Sequence, residues 1–168
     1  VWRFTGKLIK GPADTLQPIP DSYLGPVINL RRGQKVRIRF SNQLAEPSIV
    51  HWHGLDVPEL ADGHPRLAVG PGREYVYEFE VSNRAGTYWY HPHPHMRTSA
   101  QVYRGLAGVL TVRDAEEDAL GLPSGAAPRS LRVCAPRRPG PLAFFSASRV
   151  TAWLRPISNT SSGDSSEA

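Results

Sequence analysis

The sequence predicts an all-β fold, a β-sandwich or a barrel, followed by an irregular C-terminal tail. Three observations support this: short segments alternate between polar and apolar residues, turn residues separate those segments, and no convincing amphipathic helix interrupts them. The chain has 168 residues, which is enough for one domain of ordinary size and a tail. We therefore assign residues 1–113 to the β domain and residues 114–168 to the tail.

Five segments have the composition of β-strands, because period-two alternation or β-branched and aromatic residues dominate them. In residues 74–81, for example, Tyr75, Tyr77, Phe79 and Val81 share one face. The predicted strands are residues 35–40, 48–53, 74–81, 87–91 and 108–112, with turns at 32–34, 70–72 and 83–86. On the polar face we expect Arg37 and Arg39 to pair with Glu78 and Glu80 across two of these strands.

The tail differs in character from the rest of the chain. Residues 114–120 favour a short helical turn, and the remainder is rich in Pro, Gly, Arg and Ser without periodicity. We expect this tail to be mostly irregular and its last dozen residues to be disordered. Because strand periodicity is lost abruptly, one hypothesis is that the sequence after about residue 128 is a frameshifted or truncated part of a longer reading frame.

Composition excludes several classes of function. The net charge is +5, but the arginines are scattered and no nucleic-acid-binding motif accompanies them, so we predict a solvated basic surface and no nucleic-acid partner. No apolar run is long enough to span a bilayer, so we predict no membrane partner. The single cysteine, Cys134, rules out an internal disulfide or a cysteine-rich metal cluster.

Two His-x-His pairs carry the chemistry of this chain. His51 and His53 lie in a predicted strand, where residues two apart face the same way, so their imidazoles should project together and Trp52 should face the opposite side. His91 and His93 are interleaved with prolines, which fix the backbone and supply no N–H to a sheet. We therefore expect the second pair to lie at the end of a strand, on a rigid segment.

Clustered imidazoles without cysteines or grouped carboxylates suit copper or zinc. His51, His53, His91 and His93 are the predicted metal ligands. We interpret His64 as a turn residue, because it lies in an Asp-Gly-His-Pro sequence.

Residues 50–55, Val-His-Trp-His-Gly-Leu, and 86–93, Gly-Thr-Tyr-Trp-Tyr-His-Pro-His, resemble the two copper motifs of the first cupredoxin domain of multicopper oxidases, the family of laccases and copper-efflux oxidases. The resemblance extends over about residues 20–113. It includes the segments 25–28, 32–36, 62–63, 70–72 and 101–108. It implies a cupredoxin-like Greek-key β-sandwich and a copper cofactor.

The resemblance also implies roles for individual residues. His51 would bind the type 2 copper, His53 and His91 one type 3 copper, and His93 the other. Asp62 corresponds to the acidic residue that relays protons toward the oxygen site, and His95 would support the ligands from outside. The implied reaction reduces O₂ to water while phenols, amines or metal ions are oxidised, and the family favours a periplasmic or secreted location.

The chain departs from the family pattern in two respects. The trinuclear copper site takes eight histidines, and this chain supplies four of them. The type 1 copper needs a His-Cys-His segment, whereas Cys134 has no neighbouring histidine and none follows His95. Three interpretations stay open: one domain of an oxidase that the remaining domains complete, a stand-alone copper-binding module without oxidase activity, or a half-site completed by oligomerisation or a partner chain.

Overall fold

Two β-sheets face each other across an apolar core in the computed structural model, which describes residues 1–122 and the backbone of residues 149–156. Nine strands are found in these described residues. They are β1 (Arg3–Leu8), β2 (Leu16–Gln17), β3 (Val27–Arg31), β4 (Lys35–Ser41), β5 (Val50–His53), β6 (Glu74–Glu80), β7 (Gly86–Pro92), β8 (Gly108–Arg113) and β9 (Arg149–Pro156).

One sheet has the strand order β1-β9-β4-β6, and the other has the order β2-β3-β8-β7-β5. The pairs β1–β9 and β3–β8 are parallel, and the other pairs are antiparallel. Parallel neighbours within a mainly antiparallel fold require connections that cross between the sheets. The predicted all-β sandwich is confirmed, and each of the five predicted strands coincides with an observed one to within two residues.

The core lies between the two sheets and draws on both. Residues two apart on β4 and β6 are buried because alternate side chains of a strand share a face. Ile38 and Tyr77 from one sheet and Leu110 and Trp52 from the other are at most 1% exposed. The Tyr77 hydroxyl accepts a hydrogen bond from the Val50 N–H at 2.8 Å, which links the sheets at the start of β5.

The polar face of β4 and β6 carries cross-strand ion pairs. Arg37 lies opposite Glu78 and forms the predicted ion pair with it. The expectation that Arg39 pairs with Glu78 or Glu80 is wrong: Arg39 lies opposite Val76 and its guanidinium contacts Glu74 at 3.8 Å. The register places Glu80 opposite Lys35 instead, at 4.0 Å.

Two short helices flank the second sheet. Helix α1 (Thr98–Tyr103) follows the second histidine pair and was not predicted, because six residues are too few to show a helical period. Helix α2 (Ala115–Ala119) confirms the predicted helical turn, and the Asp114 side chain caps it by accepting from the Glu117 N–H. No helix in the described part of the chain is long and apolar enough to cross a membrane.

Strand β9 lies in the predicted tail and was not expected from the sequence. Residues 149–156, for which we expected irregular structure, pair in parallel with β1 and antiparallel with β4. The prediction failed because a strand between two neighbours takes its stability from their backbone groups, and its own sequence shows no clean alternation. The division at residue 113 stays a prediction. Three further expectations lie outside the described residues: those for Cys134, for a frameshift after about residue 128, and for a disordered end at 157–168.

Candidate metal centre

The two His-x-His pairs meet because β5 and β7 are antiparallel neighbours. Their register places His51 opposite His91 and His53 opposite Trp89. Since directly opposed residues of an antiparallel pair share a face, these four rings project from the same side of the sheet. Trp52 points the other way into the core, where it is 1% exposed, as the strand period predicts.

Three of the four predicted ligands form a compact group, which we call the three-histidine cluster: His51, His53 and His91. One ring nitrogen from each lies within 4.8 Å of those of the other two. The closest approach joins His53 Nδ1 to His91 Nε2, 3.2 Å apart. Because a metal ion with imidazole ligands accepts nitrogens at about 2.0–2.1 Å, two nitrogens at this separation can face a common ion.

His93 lies beside this cluster rather than within it. Strand β7 ends at Pro92, as the prolines predict, and the His93 ring lies on the segment beyond it. Its centroid is 5.2 Å from that of His51 and 6.0 Å from that of His91. The Nδ1 atom of His93 is buried and has no hydrogen-bond partner in the described part of the chain.

Backbone carbonyls fix the orientation of two of the rings. The Nδ1–H of His51 donates to the Asp62 carbonyl at 2.7 Å, and the Nδ1–H of His91 donates to the Pro92 carbonyl at 2.9 Å. Because a carbonyl oxygen only accepts, each ring must carry its proton on Nδ1, and Nε2 keeps its lone pair. These contacts prepare His51 and His91 to bind a metal through Nε2.

Asp62 reaches the cluster through a tight turn. Its carboxylate Oδ1 lies 3.2 Å from His51 Nδ1, so the structure brings this predicted residue next to a predicted ligand. The turn can approach β5 because the next residue is Gly63, whose φ is +78°. A β-carbon at Gly63 would lie 2.6 Å from the Val50 carbonyl carbon and 2.9 Å from His51 Cα, so only glycine fits there.

Trp89 is a contact residue to which the sequence analysis assigned no role. Its ring centroid lies 4.2 Å from that of His91 and 5.0 Å from that of His53, and 37% of the residue is exposed. The signal was present in the sequence, because Trp89 precedes His91 by two residues in a predicted strand and must share its face. Trp89 and the exposed His53 leave this side of the cluster open to solvent or to another protein surface.

The two remaining histidines lie apart from the cluster. The His64 Nδ1 atom accepts from the Arg66 N–H at 3.2 Å and begins a short 3-10 turn, which confirms its interpretation as a turn residue. His95 is exposed and does not belong to the three-histidine cluster. Its supporting role beside the ligands stays a prediction.

Burial and neighbouring imidazoles lower the pKa values of His91 and His93. Burial, with smaller contributions from His51, His53 and His93, lowers the pKa of His91 from 6.5 to about 4. Burial, followed by the proximity of His51, also lowers the pKa of His93. A neutral imidazole has the lone pair that a metal ligand needs, so these rings are ready to bind at neutral pH.

Acidification from pH 6.5 to about pH 4 is expected to destabilise the metal-free chain. In this window the unfolded state binds a proton at residue 91 and the folded state does not, since the folded pKa is the lower one. Stability is therefore complete above pH 6.5 and falls as the pH drops, by about 1–2 kcal/mol after allowance for solvent screening. Urea unfolding of the chain and of His91→Gln at several pH values measures this; an equal pH slope in the two proteins would contradict it.

Comparison with known proteins identifies the family. Residues 5–117 match the family model described as Multicopper oxidase. Multicopper oxidase mco from Staphylococcus aureus is 46% identical over 91 residues, which cover 54% of this chain and 20% of that protein. Cell division protein FtsP from Escherichia coli (strain K12) is 33% identical over 123 residues, covering 73% of this chain and 25% of that protein.

Solved structures agree with this result. The McoA multicopper oxidase from the hyperthermophile Aquifex aeolicus superposes with a TM-score of 0.56 and 52% identity, over 56% of this chain and 21% of that chain. The chain thus spans about a fifth to a quarter of the length of these relatives. Its sandwich fold, its clustered histidines and the matched residues 5–117 together show that the chain belongs to the multicopper oxidase family.

Proposed function

We propose that this chain supplies one half of the trinuclear copper site of a laccase-like multicopper oxidase. In this proposal the complete enzyme reduces O₂ to water while phenols, amines or metal ions are oxidised. The observation that carries the proposal is the three-histidine cluster, whose ring nitrogens converge to within 4.8 Å of one another. Family membership supports copper as the metal.

The donor set fits copper ions. All candidate ligand atoms are imidazole nitrogens, which suit copper and zinc, and the residues of the described site include no cysteine. The rings of His51 and His91 have Nδ1 occupied by carbonyls, which leaves their Nε2 atoms to bind an ion. When bound, copper would supply the one-electron redox chemistry that O₂ reduction requires.

We assign His51 to the type 2 position, His53 and His91 to one type 3 position, and His93 to the other. The 3.2 Å separation of His53 Nδ1 and His91 Nε2 supports a shared ion for that pair. The position of His93 outside the compact cluster supports a separate ion for it. Trp89 packs against the rings of His53 and His91 and would limit their rotation.

We assign Asp62 a role in proton transfer. Its carboxylate is 45% exposed and its Oδ1 lies 3.2 Å from His51 Nδ1, so it has contact with both solvent and the site. A carboxylate in this position can accept a proton from solvent water and hold it at Oδ1, next to the ligand ring. The backbone carbonyl of Asp62 separately keeps the His51 ring oriented.

A second candidate function is copper binding without independent oxidase activity. No histidine follows His95, and Cys134 has no histidine beside it, so the sequence holds neither the type 1 motif nor four further ligands. The site would then act as a copper-holding module, or as a half-site that a second copy or a partner chain completes. The exposed His53 and Trp89 favour completion by another protein surface.

The purified chain is expected to bind about one to two copper ions and to show no strong absorption band at about 600 nm, since no cysteine is among the described residues of the site. Metal analysis, electron paramagnetic resonance and the mass in solution are measured on the same preparation, with oxidation of a phenolic dye as the activity assay. Absence of copper binding would reject both candidate functions. Copper binding without turnover by the monomer is expected from both the oxidase half-site and the module, whereas turnover confined to a multimer favours a half-site that a second copy completes.

A further inference from the structure

Strand pairing within the sheet does not by itself account for the position of His93. Pairing with β5 fixes β7 as far as Pro92, but the next residues leave the sheet. The His93 N–H donates to the Ile49 carbonyl at 2.9 Å, which ties the segment to the residue just before β5. Proline has no N–H, so Pro92 and Pro94 cannot add such bonds on either side.

Helix α1 follows this segment, and one buried side chain attaches it to the chain before β5. Gln101 is 0% exposed, and its amide makes three hydrogen bonds. Gln101 Oε1 accepts from Ser48 Oγ at 2.8 Å, and Gln101 Nε2 donates to the Pro47 carbonyl at 2.9 Å and to Glu46 Oε1 at 3.0 Å. The amide therefore joins the segment after His93 to the segment before His51.

Glu46 extends this connection to both ends of the helix. Its carboxylate contacts Arg97 Nη1 at 3.2 Å, just before α1 begins, and Arg104 Nη1 at 3.4 Å, just after α1 ends. Ser48, which is also 0% exposed, exchanges two backbone hydrogen bonds with Val69, at 3.0 and 2.9 Å. Helix α1 is thus attached to residues 46–48, and this segment is in turn fixed by the backbone hydrogen bonds between Ser48 and Val69.

We propose that Gln101 is a positioning residue for His93: its buried amide fixes α1 against residues 46–48 and so sets the distance between the His93 ring and the three-histidine cluster. The proposal rests on the proposed function where it treats His93 as a metal ligand. Gln101 lies eight residues after His93, and its three side-chain hydrogen bonds go to Ser48, Glu46 and Pro47, so its effect on the site is indirect. The backbone bond from His93 to Ile49 is the contact through which the effect should appear.

The test uses the full metal-free chain and amide hydrogen exchange followed by NMR. Gln101→Met keeps the side-chain length and removes all three hydrogen bonds. We expect the His93 amide to exchange about tenfold faster relative to the Tyr88 and Tyr90 amides of β7, since buried partners are left unsatisfied. The control is Asp114→Ala, which removes the bonds to the Ala85 and Glu117 amides at the opposite end of β7 and should leave this ratio unchanged.

Ser48 provides a milder pair of variants in case Gln101→Met does not fold. Ser48→Ala removes the hydroxyl that donates to Gln101 and should raise the His93 exchange ratio in the same direction by a smaller factor. Ser48→Thr keeps a hydroxyl and should restore the ratio of the unaltered chain. The proposal is overturned if neither Gln101→Met nor Ser48→Ala increases the exchange rate of the His93 amide more than the exchange rates of the β7 amides.

Copper titration separates this proposal from the proposed function. In Gln101→Met we expect copper at the three-histidine cluster to be retained and the additional copper that uses His93 to bind about tenfold more weakly. If the unaltered chain binds no copper, the proposed function fails, while the exchange ratio still decides the positioning role. A variant with faster His93 exchange but unchanged binding of every copper ion would overturn the link to the metal site.

Discussion

Gly63→Ala is expected to destabilise the chain by about 3 kcal/mol or more. Two costs add: alanine disfavours the positive φ of +78°, and its β-carbon would overlap the Val50 carbonyl. The surrounding atoms cannot yield easily, because they are backbone atoms of β5 rather than the end of a flexible side chain. Urea unfolding, with the midpoint and slope compared to those of the unaltered chain, measures the loss.

Alanine substitutions at two other glycines allow the backbone cost and the packing cost to be measured separately. Gly72 has a φ of +70° but open space around its β-position, so Gly72→Ala should show the backbone cost alone, about 1 kcal/mol. Gly70 has neither restriction, and Gly70→Ala should be close to neutral. A Gly63 variant no less stable than the Gly72 variant would show that the turn can move away from β5, against the packing described here.

The second large effect concerns metal binding. His91→Gln is expected to weaken copper binding by more than about 100-fold, because loss of an outer partner of a ligand already costs 10- to 100-fold. His91 is the one buried member of the cluster, 5% exposed, and its Nε2 lies 3.2 Å from His53 Nδ1. Glutamine fills a similar volume, so the change removes the ligand nitrogen with little change in packing. Equilibrium dialysis with metal analysis gives the affinity.

The matched control is His64→Asn. Asparagine keeps an acceptor for the Arg66 N–H at the start of the 3-10 turn, so the turn should persist. Copper affinity of this variant should equal that of the unaltered chain. Equal losses in His64→Asn and His91→Gln would mean that copper binds to exposed histidines in general, and the assignment of the cluster would be wrong.

Much of the fold could be predicted because its strands carry their own pattern. Residues 74–81 alternate so cleanly that Tyr77, Phe79 and Val81 are buried as expected. In contrast, β1 and β9 have no such alternation, and α1 is too short to show a helical period. The pairing of Arg39 was predicted incorrectly because it depends on the register between β4 and β6, and the sequence of neither strand specifies that register alone.

The candidate site, like the fold, could be predicted only in part from the sequence. The spacing of the histidines and the prolines between them were sufficient to predict which rings share a face and where β7 ends. The same spacing puts Trp89 on the face of His91, but it does not reveal that Trp89 also packs on His53, or that the Asp62 carbonyl orients His51. Nor does it assign Gln101, because its partners lie more than fifty residues earlier in the chain.

The sequence by itself determined the β class, the two histidine-bearing strands and the family resemblance, since each depends on residue types at short and fixed spacings. Only the tertiary structure decided that His51, His53 and His91 form the compact cluster while His93 lies beside it on a separately anchored segment. The physical reason is that metal ligation requires ring nitrogens to converge within a few ångströms. That convergence depends on strand register, on the close approach allowed by Gly63, and on buried hydrogen bonds between distant parts of the chain.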